Sequence, residues 1–531
     1  MVSYFFYSTY SIPIMILSIR LLILAFISVM GFGSFIPPTA DLSTVKTEAG
    51  LVSGTKNTEG NIQIFRGIPF AAPPLEELRW KAPQPVKPWT GVKKCDSFGP
   101  SPMQAKPAPF SMWSEEFLIP AAPISEDCLY LNVWTGAKSS AEKRPVMVWI
   151  YGGGFNSGGS GVPIYDGESF AKKGIVFVSI NYRVGVFGFL AHPELSRESG
   201  KNTSGNYGLM DQIAALQWVQ KNIAAFGGDP KNVTIAGQSA GSMSVNVLVA
   251  SPLAKNLFVK AIAQSGANFS RGSISLQKAE ENGVKFAQTM NASSLSELRN
   301  KSAEELLQKS QGMRGPVIDG YVLPDAISNI FASGKQNDVA VLTGWNQDEG
   351  LLFGPIKNAV DFRKEAEAQY GTEASTFLKY YPAPNDSVAA ASQLNLSRDM
   401  IFGVQNYTWA NVQSKQRKSK VYVYRFIRKV PATGEYVKYG AFHTGEVPYA
   451  YDNLRFVNRP WQAVDHDLAK VMSSYWVNFI TSGNPNGEGL PQWPAYSTKD
   501  KQIMLLGEKQ GATTIPDQAA LDFMFARMNK Q

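Results

Sequence analysis

Residues 232–247, NVTIAGQSAGSMSVNV, decide the fold. The stretch opens with a β-branched apolar run, which predicts a buried strand, and residues 242–249 have the composition of a helix. Between them lies a G-x-S-x-G motif centred on Ser239. A strand, this motif and a helix in immediate succession are typical of a nucleophile elbow, which holds a serine on a strained turn. The stretch therefore predicts that the Ser239 hydroxyl is a nucleophile raised above a sheet edge.

The segments on both sides of the elbow predict a mostly parallel sheet flanked by helices. Continuous apolar runs alternate with segments of helical periodicity, and parallel sheets are buried on both faces, so this pattern favours an α/β fold. Residues 353–419 are polar and helical in pattern, which predicts an insertion above the sheet. The main strands are predicted at 129–134, 146–151, 175–182, 261–263, 339–343 and 421–427, and the main helices at 209–226 and 463–480.

The composition is typical of a globular protein. The 531 residues are 44% hydrophobic and 18% charged, and the net charge of +8 is dispersed along the chain. The densest basic cluster, residues 415–420, precedes a predicted strand, so a solvated surface is favoured over a nucleic-acid-binding one. Two cysteines, Cys95 and Cys128, are too few for a disulfide framework or a four-cysteine zinc site.

The N-terminal segment predicts export. Residues 21–30, LLILAFISVM, form a short apolar core after Arg20, and the first 40 residues contain no acidic side chain. A core this short favours a secretory signal over a membrane span. We expect residues 1–40 to be a signal peptide cleaved near Gly33 or Ala40, which makes the protein secreted or periplasmic; an uncleaved membrane anchor is the alternative.

A nucleophilic serine needs a base, and the base needs an orienting acid. The chain has three histidines, and in folds with this elbow the order along the chain is serine, acid, histidine. That order excludes His192. His466 stands between two aspartates in a helical segment, where a solvated position is favoured. His443 follows the predicted strand at 421–427 in a glycine-flanked loop, and we predict that it is the base.

The acid and the oxyanion hole are expected at the ends of two other strands. Asp348 and Glu349 both follow the predicted strand at 339–343, and the spacing does not separate them. Three glycines at 152–154 end another strand, and their backbone N–H groups fit an oxyanion hole. A phosphate-binding loop is excluded here because no Gly-Lys-Ser/Thr follows. This chemistry requires no metal and no organic cofactor.

With these motifs, the chain resembles the type-B carboxylesterases, which include cholinesterases, bile-salt-activated lipase and bacterial para-nitrobenzyl esterases. The resemblance runs from about residue 45 to the C-terminal region. It is carried by residues 226–241 around the serine and by EDCLYLNVW at residues 126–134. It implies the α/β-hydrolase fold for a single domain at 41–531, and hydrolysis of carboxylic esters through an acyl-enzyme intermediate.

The resemblance also implies individual roles. It favours Glu349 over Asp348 as the acid. The matching positions are Ser239 for the nucleophile, His443 for the base, Glu349 for the acid, Gly153, Gly154 and Ala240 for the oxyanion hole, and Ser265 for a supporting residue near the triad.

Two positions depart from the family pattern. The resemblance implies a bridge between Cys95 and Cys128, although Cys95 stands a few residues before the usual position. Gln238 precedes the serine where cholinesterases carry glutamate, which disfavours a quaternary-ammonium substrate. We expect a small ester of apolar or aromatic character, with no nucleic acid and no stable protein partner. The alternatives are a lipase acting on longer-chain lipid esters and a non-catalytic adhesion member of the same fold.

Overall fold

The computed structural model describes residues 1–4, 42–269, 273–310, 312–351, 354–416 and 418–528. Residues 5–41, which hold most of the predicted signal peptide and both cleavage positions, lie outside the described residues. The described residues from Leu42 onward belong to one compact unit, and Met1–Tyr4 belong to another. Within the described ranges, no helix combines the length and the apolar character needed to span a membrane.

An 11-stranded sheet forms the centre of the larger unit. Its order is β18-β17-β16-β15-β12-β11-β9-β10-β8-β4-β3, and the seven neighbouring strands from β17 to β10 run parallel. Antiparallel strands complete both edges. The strands of this sheet are β3 Thr55–Lys56, β4 Gln63–Pro69, β8 Tyr130–Thr135, β9 Arg144–Ile150, β10 Val176–Ile180, β11 Gly228–Gln238, β12 Lys260–Gln264, β15 Ala340–Asn346, β16 Val421–Phe426, β17 Gln502–Leu506 and β18 Gly511–Thr514. The predicted α/β fold with a mostly parallel sheet is confirmed.

Short strands form three smaller sheets among the described residues. They are β1 Thr44–Lys46, β2 Leu51–Ser53, β5 Val92–Lys94, β6 Ser101–Pro102, β7 Ile124–Ser125, β13 Ile274–Ser275 and β14 Val317–Ile318. β1, β2 and β5 form a three-stranded sheet, β6 pairs with β7, and β13 pairs with β14.

Helices pack against the central sheet. The α-helices of the described ranges are α1 Glu168–Lys172, α2 Gly185–Phe189, α3 Pro193–Glu198, α4 Tyr207–Asn222, α5 Ala240–Ala250, α6 Leu276–Thr289, α7 Leu295–Arg299, α8 Ala303–Lys309, α9 Ile327–Ala332, α10 Ala359–Tyr370, α11 Ala374–Tyr380, α12 Asp386–Arg398, α13 Val404–Gln416, α14 Val447–Ala450, α15 Ala463–Ser482 and α16 Gln518–Met528. Every residue of β10, β12 and β16 is buried, as expected for strands covered on both faces. The sheet is therefore the centre of the hydrophobic core.

The stretch predicted as a helical insertion contains α10 to α13. A π-helical turn at Asp399–Gly403 joins α12 to α13, and α13 packs against β15 and β16. The turn brings Phe402 onto the imidazole of His443, with ring centroids 4.4 Å apart. The insertion thereby contributes directly to the surroundings of the predicted base.

The expected bridge between Cys95 and Cys128 is not formed, and both are free, buried thiols. The carbonyl of Cys95 accepts from the Arg66 N–H, whereas Leu129, next to Cys128, accepts from Phe70. The two cysteines therefore lie beside different points of the segment from Arg66 to Phe70, which is bulged at Gly67. Burial raises the pKa of the Cys95 thiol to about 11 and that of Cys128 well above its usual value, so both remain protonated at neutral pH.

Candidate active site

The turn between β11 and α5 presents Ser239. The strand ends at Gln238, the helix begins at Ala240, and Ser239 has φ 57° and ψ −123°, which is strained for a residue with a side chain. A Cβ on Gly241 would lie 2.0 Å from the Ile150 carbonyl oxygen, and one on Gly237 would lie 2.4 Å from the Gly241 carbonyl carbon. Glycine is required at both positions because β9, β11 and α5 approach one another too closely for a side chain.

Ser239 lines a cavity of about 680 Å³. The wall is predominantly apolar, with Phe110, Trp113 and Ile119 among its residues, and His443 lines the same cavity. Ser239 is half-buried, so its hydroxyl faces open space. A cavity of this size accommodates a small organic substrate.

The imidazole of His443 is buried between the acid and the elbow. Its Nδ1 lies 2.8 Å from Oε2 of Glu349, and its Nε2 lies 3.1 Å from Nε2 of Gln238, the residue before Ser239. The Gln238 nitrogen is also 3.5 Å from Nδ1, so it lies over the face of the ring and not along the in-plane lone pair of Nε2. With Nδ1–H donating to the carboxylate of Glu349, that lone pair is directed away from the acid. Both Ser239 and His443 lie in the part of the chain that the structure describes, and no hydrogen bond joins their side chains. Such bonds are often absent until substrate binds.

Glu349, and not Asp348, contacts the imidazole. Glu349 is fully buried at the end of β15, and its second carboxylate oxygen accepts from the backbone N–H of Asn346 at 2.8 Å. Asp348 is exposed and accepts from the Ala441 N–H at 2.8 Å. Asp348 therefore fixes the loop that carries His443, while Glu349 contacts the ring.

Three backbone N–H groups near Ser239 are free of acceptors. Those of Gly153, Gly154 and Ala240 form no hydrogen bond with any described residue. Gly153 has φ 107°, and a Cβ there would lie 2.2 Å from the Ser157 carbonyl oxygen, so glycine is required. Free N–H groups beside a nucleophile are what an oxyanion hole needs.

The other candidate residues do not contact Ser239, His443 or Glu349 through a side-chain hydrogen bond in the described part of the chain. His192 caps α3, accepting from the Glu194 N–H at 3.2 Å, and His466 is exposed on α15. Ser265 follows β12, beside the strand that leads to Ser239, and its buried hydroxyl has no hydrogen-bond partner among the described residues. A supporting role for Ser265 therefore remains a prediction.

A second buried carboxyl, Glu446, lies near Glu349 and His443 and was not predicted from the sequence. It accepts from the side-chain amides of Asn346, at 2.6 Å, and Gln264, at 3.1 Å. Burial, together with the negative charge of Glu349, raises the pKa of Glu446 to about 7. Its place three residues after His443 was the available signal, but spacing alone does not reveal burial.

Glu446 predicts a pH-dependent stability. The folded state retains this proton up to about pH 7, whereas the ordinary pKa of the carboxyl is 4.5, so the free energy of unfolding falls as pH rises between these values. A glutamine side chain at this position cannot ionise. We therefore expect the difference in free energy of unfolding between Glu446→Gln and wild type to shift by about 2 kcal/mol in favour of the variant when the pH is raised from 5 to 8.

Urea denaturation of both proteins at pH 5 and pH 8 measures this change. Glu435→Gln, which alters an exposed carboxylate, serves as the control and should show the same difference from wild type at both pH values. A constant difference for Glu446→Gln as well would contradict the buried ionisation.

Comparison with known proteins identifies the family. Residues 41–524 match the model of the carboxylesterase family. The chain is 37% identical to fumonisin B1 esterase of Sphingopyxis macrogoltabida over 491 residues, covering 88% of this chain and 86% of that protein. It is 35% identical to para-nitrobenzyl esterase of Bacillus subtilis (strain 168), covering 87% and 94%, and 34% identical to liver carboxylesterase 1 of Oryctolagus cuniculus, covering 91% and 92%. The chain therefore belongs to the carboxylesterase family and is a carboxylic ester hydrolase.

Proposed function

We propose that this enzyme hydrolyses small carboxylic esters by two-step acyl transfer, with Ser239 as nucleophile, His443 as base and Glu349 as acid. The observation that carries the proposal is the 2.8 Å contact between Glu349 and His443, in a cavity that both His443 and Ser239 line. The carboxylate fixes the tautomer in which Nε2 is unprotonated, and only this tautomer can take the proton of a serine hydroxyl.

The first half-reaction acylates the serine. Substrate binding brings the Ser239 hydroxyl into hydrogen-bond contact with the in-plane lone pair of Nε2 of His443. His443 then takes the hydroxyl proton while the oxygen attacks the ester carbonyl, and the N–H groups of Gly153, Gly154 and Ala240 stabilise the oxyanion. The protonated imidazole returns the proton to the leaving alcohol.

Water completes the cycle: His443 takes a proton from water as its oxygen attacks the acyl-enzyme, and then returns the proton to the Ser239 oxygen as the bond to the acyl group breaks and the carboxylic acid leaves. Glu349 holds the ring and stabilises the imidazolium in both half-reactions. The predominantly apolar wall, with Phe110, Trp113 and Ile119, supports esters of apolar or aromatic character. An N-terminal signal peptide and secretion are part of the proposal, supported by the composition of residues 1–40, and N-terminal sequencing of exported protein checks them.

Active-site labelling tests the assignment of the nucleophile. A fluorophosphonate should modify one residue, Ser239, and abolish hydrolysis of para-nitrophenyl esters in proportion to labelling. Peptide mass spectrometry locates the adduct. Labelling at another serine, or full labelling of Ser239 without loss of hydrolysis, would contradict the proposal. A series of acyl chain lengths distinguishes short esters from the longer lipid esters of a lipase.

A further inference from the structure

Among the described residues that line the cavity above Ser239, two carry a positive charge and none carries a negative one. Lys106 and Arg314 line it, and none of its lining residues is aspartate or glutamate. The carboxylate closest to the chemistry, Glu349, lies behind His443 and is fully buried. A substrate in this cavity therefore contacts cationic and apolar side chains, and no carboxylate among the described lining residues.

Both cationic side chains are available to a ligand. Lys106 and Arg314 are exposed, and neither forms an ion pair or a hydrogen bond within the described part of the chain. Several other arginines are paired with carboxylates, as in Arg183–Asp211 and Arg425–Asp517. Exposed basic side chains are often merely solvated. These two differ because they line one cavity that contains the proposed nucleophile.

Arg314 is close to the reacting centre. A Cβ built on Gly154 would lie 3.9 Å from Nη1 of Arg314, so the guanidinium is adjacent to a proposed oxyanion-hole residue. A guanidinium offers a planar fork of donors that matches the two oxygens of a carboxylate. A carboxylate on the substrate could thus be held a short distance from the ester carbonyl.

We propose that the enzyme prefers esters that carry a carboxylate, which Arg314 binds with assistance from Lys106. This inference deepens the proposed function and rests on it, since it assigns a substrate class to the same site. The apolar wall contacts the hydrocarbon part of the ester, while the two cations neutralise the carboxylate. The mechanism at Ser239 is unchanged.

Matched substrate pairs test the preference. On the acyl side, mono(4-nitrophenyl) adipate is compared with its neutral methyl ester; on the alcohol side, 4-acetoxybenzoate is compared with its methyl ester. The uncatalysed rate is subtracted, and kcat/KM is measured for each. We expect the anionic member to be preferred in at least one pair. That preference should weaken with rising salt, because salt screens exposed charges.

Arg314→Gln should lower the anionic-to-neutral ratio of kcat/KM by about tenfold, the low end for a charge-assisted hydrogen bond because the guanidinium is exposed. Lys106→Gln should lower it by about threefold, and Arg314→Lys should retain part of the preference. Arg197→Gln removes an exposed positive charge outside the cavity and should leave the ratio unchanged. The ratio is informative because misfolding would lower both rates together.

The proposal is overturned if wild type prefers the neutral ester in both pairs, or if Arg314→Gln leaves the ratio unchanged. The proposed function is tested separately by the neutral esters. Their hydrolysis, if it depends on Ser239, stands even when the anionic preference fails. Absence of Ser239-dependent turnover on every ester would instead remove the proposed function itself.

Discussion

Alanine in place of Ser239 is expected to lower kcat for para-nitrophenyl ester hydrolysis by about 10⁵- to 10⁶-fold. The variant loses the oxygen that forms the acyl-enzyme, so His443 has no bound hydroxyl to deprotonate. The free N–H groups of Gly153, Gly154 and Ala240 remain, and residual catalysis about 10³- to 10⁴-fold above water can persist through them. The loss should therefore appear in kcat while substrate binding is largely retained.

Steady-state kinetics on a purified variant, with thermal denaturation to verify folding, measures this effect. Ser474→Ala is a matched control, because Ser474 is a half-buried residue of α15 far along the chain from the elbow, and its hydroxyl donates to the Lys470 carbonyl at 2.7 Å. The control should keep wild-type kinetics. A folded Ser239→Ala enzyme that retained more than about one-hundredth of wild-type kcat would exclude this serine as nucleophile.

The centre of the sheet could be predicted from the sequence because its strands are continuous apolar runs. The segments predicted at 146–151 and 421–427 are β9 Arg144–Ile150 and β16 Val421–Phe426. The strand β17 Gln502–Leu506, next to the edge strand β18, was not predicted, since a short apolar run after a turn-rich segment has no distinguishing period. A long strand buried on both faces can be recognised from its sequence, whereas a short strand near the edge of the sheet cannot.

The elbow could be predicted for a steric reason. The contacts of Gly237 and Gly241 leave no space for a Cβ. The backbone geometry of the elbow therefore requires glycine at these two positions, and the motif can be recognised in the sequence. His443 was predicted from chain order and elimination, and its role as the base stays a prediction, although its ring contacts Glu349. Spacing could not separate Asp348 from Glu349, because adjacent residues of a loop point in directions that only its folded path determines.

Contacts between distant segments could not be predicted. The stacking of Phe402 on His443 depends on a π-helical turn, and the two cations of the cavity, Lys106 and Arg314, are over 200 positions apart in the chain. The Cys95–Cys128 bridge, which the family resemblance implied, fails for a related reason. Cys95 lies beside β4, and Cys128 lies beside the residues that follow β4. How far apart the two thiols are in space cannot be read from their spacing in the sequence.

Glutamine in place of Glu349 is expected to lower kcat by about 10⁴-fold, the effect known for an amide at the acid position of a serine triad. The structure gives the reason in this enzyme. One oxygen of Glu349 accepts from the Asn346 N–H, so the amide oxygen of glutamine must keep that position. Its NH₂ group then faces Nδ1 of His443, which must accept rather than donate. The proton moves to Nε2, where it blocks removal of the serine proton.

Asp348→Asn provides the matched control for Glu349→Gln. Asparagine retains the oxygen that accepts from the Ala441 N–H, so the loop keeps its position, and we expect kcat to change by less than about threefold. Each variant removes one carboxylate, and the two positions are adjacent in the chain. Of the two carboxylates, only that of Glu349 contacts the imidazole. A large loss for Asp348→Asn with a small loss for Glu349→Gln would reverse the assignment. Equal large losses with lowered thermal stability would indicate that the loop, rather than the tautomer, determines the rate.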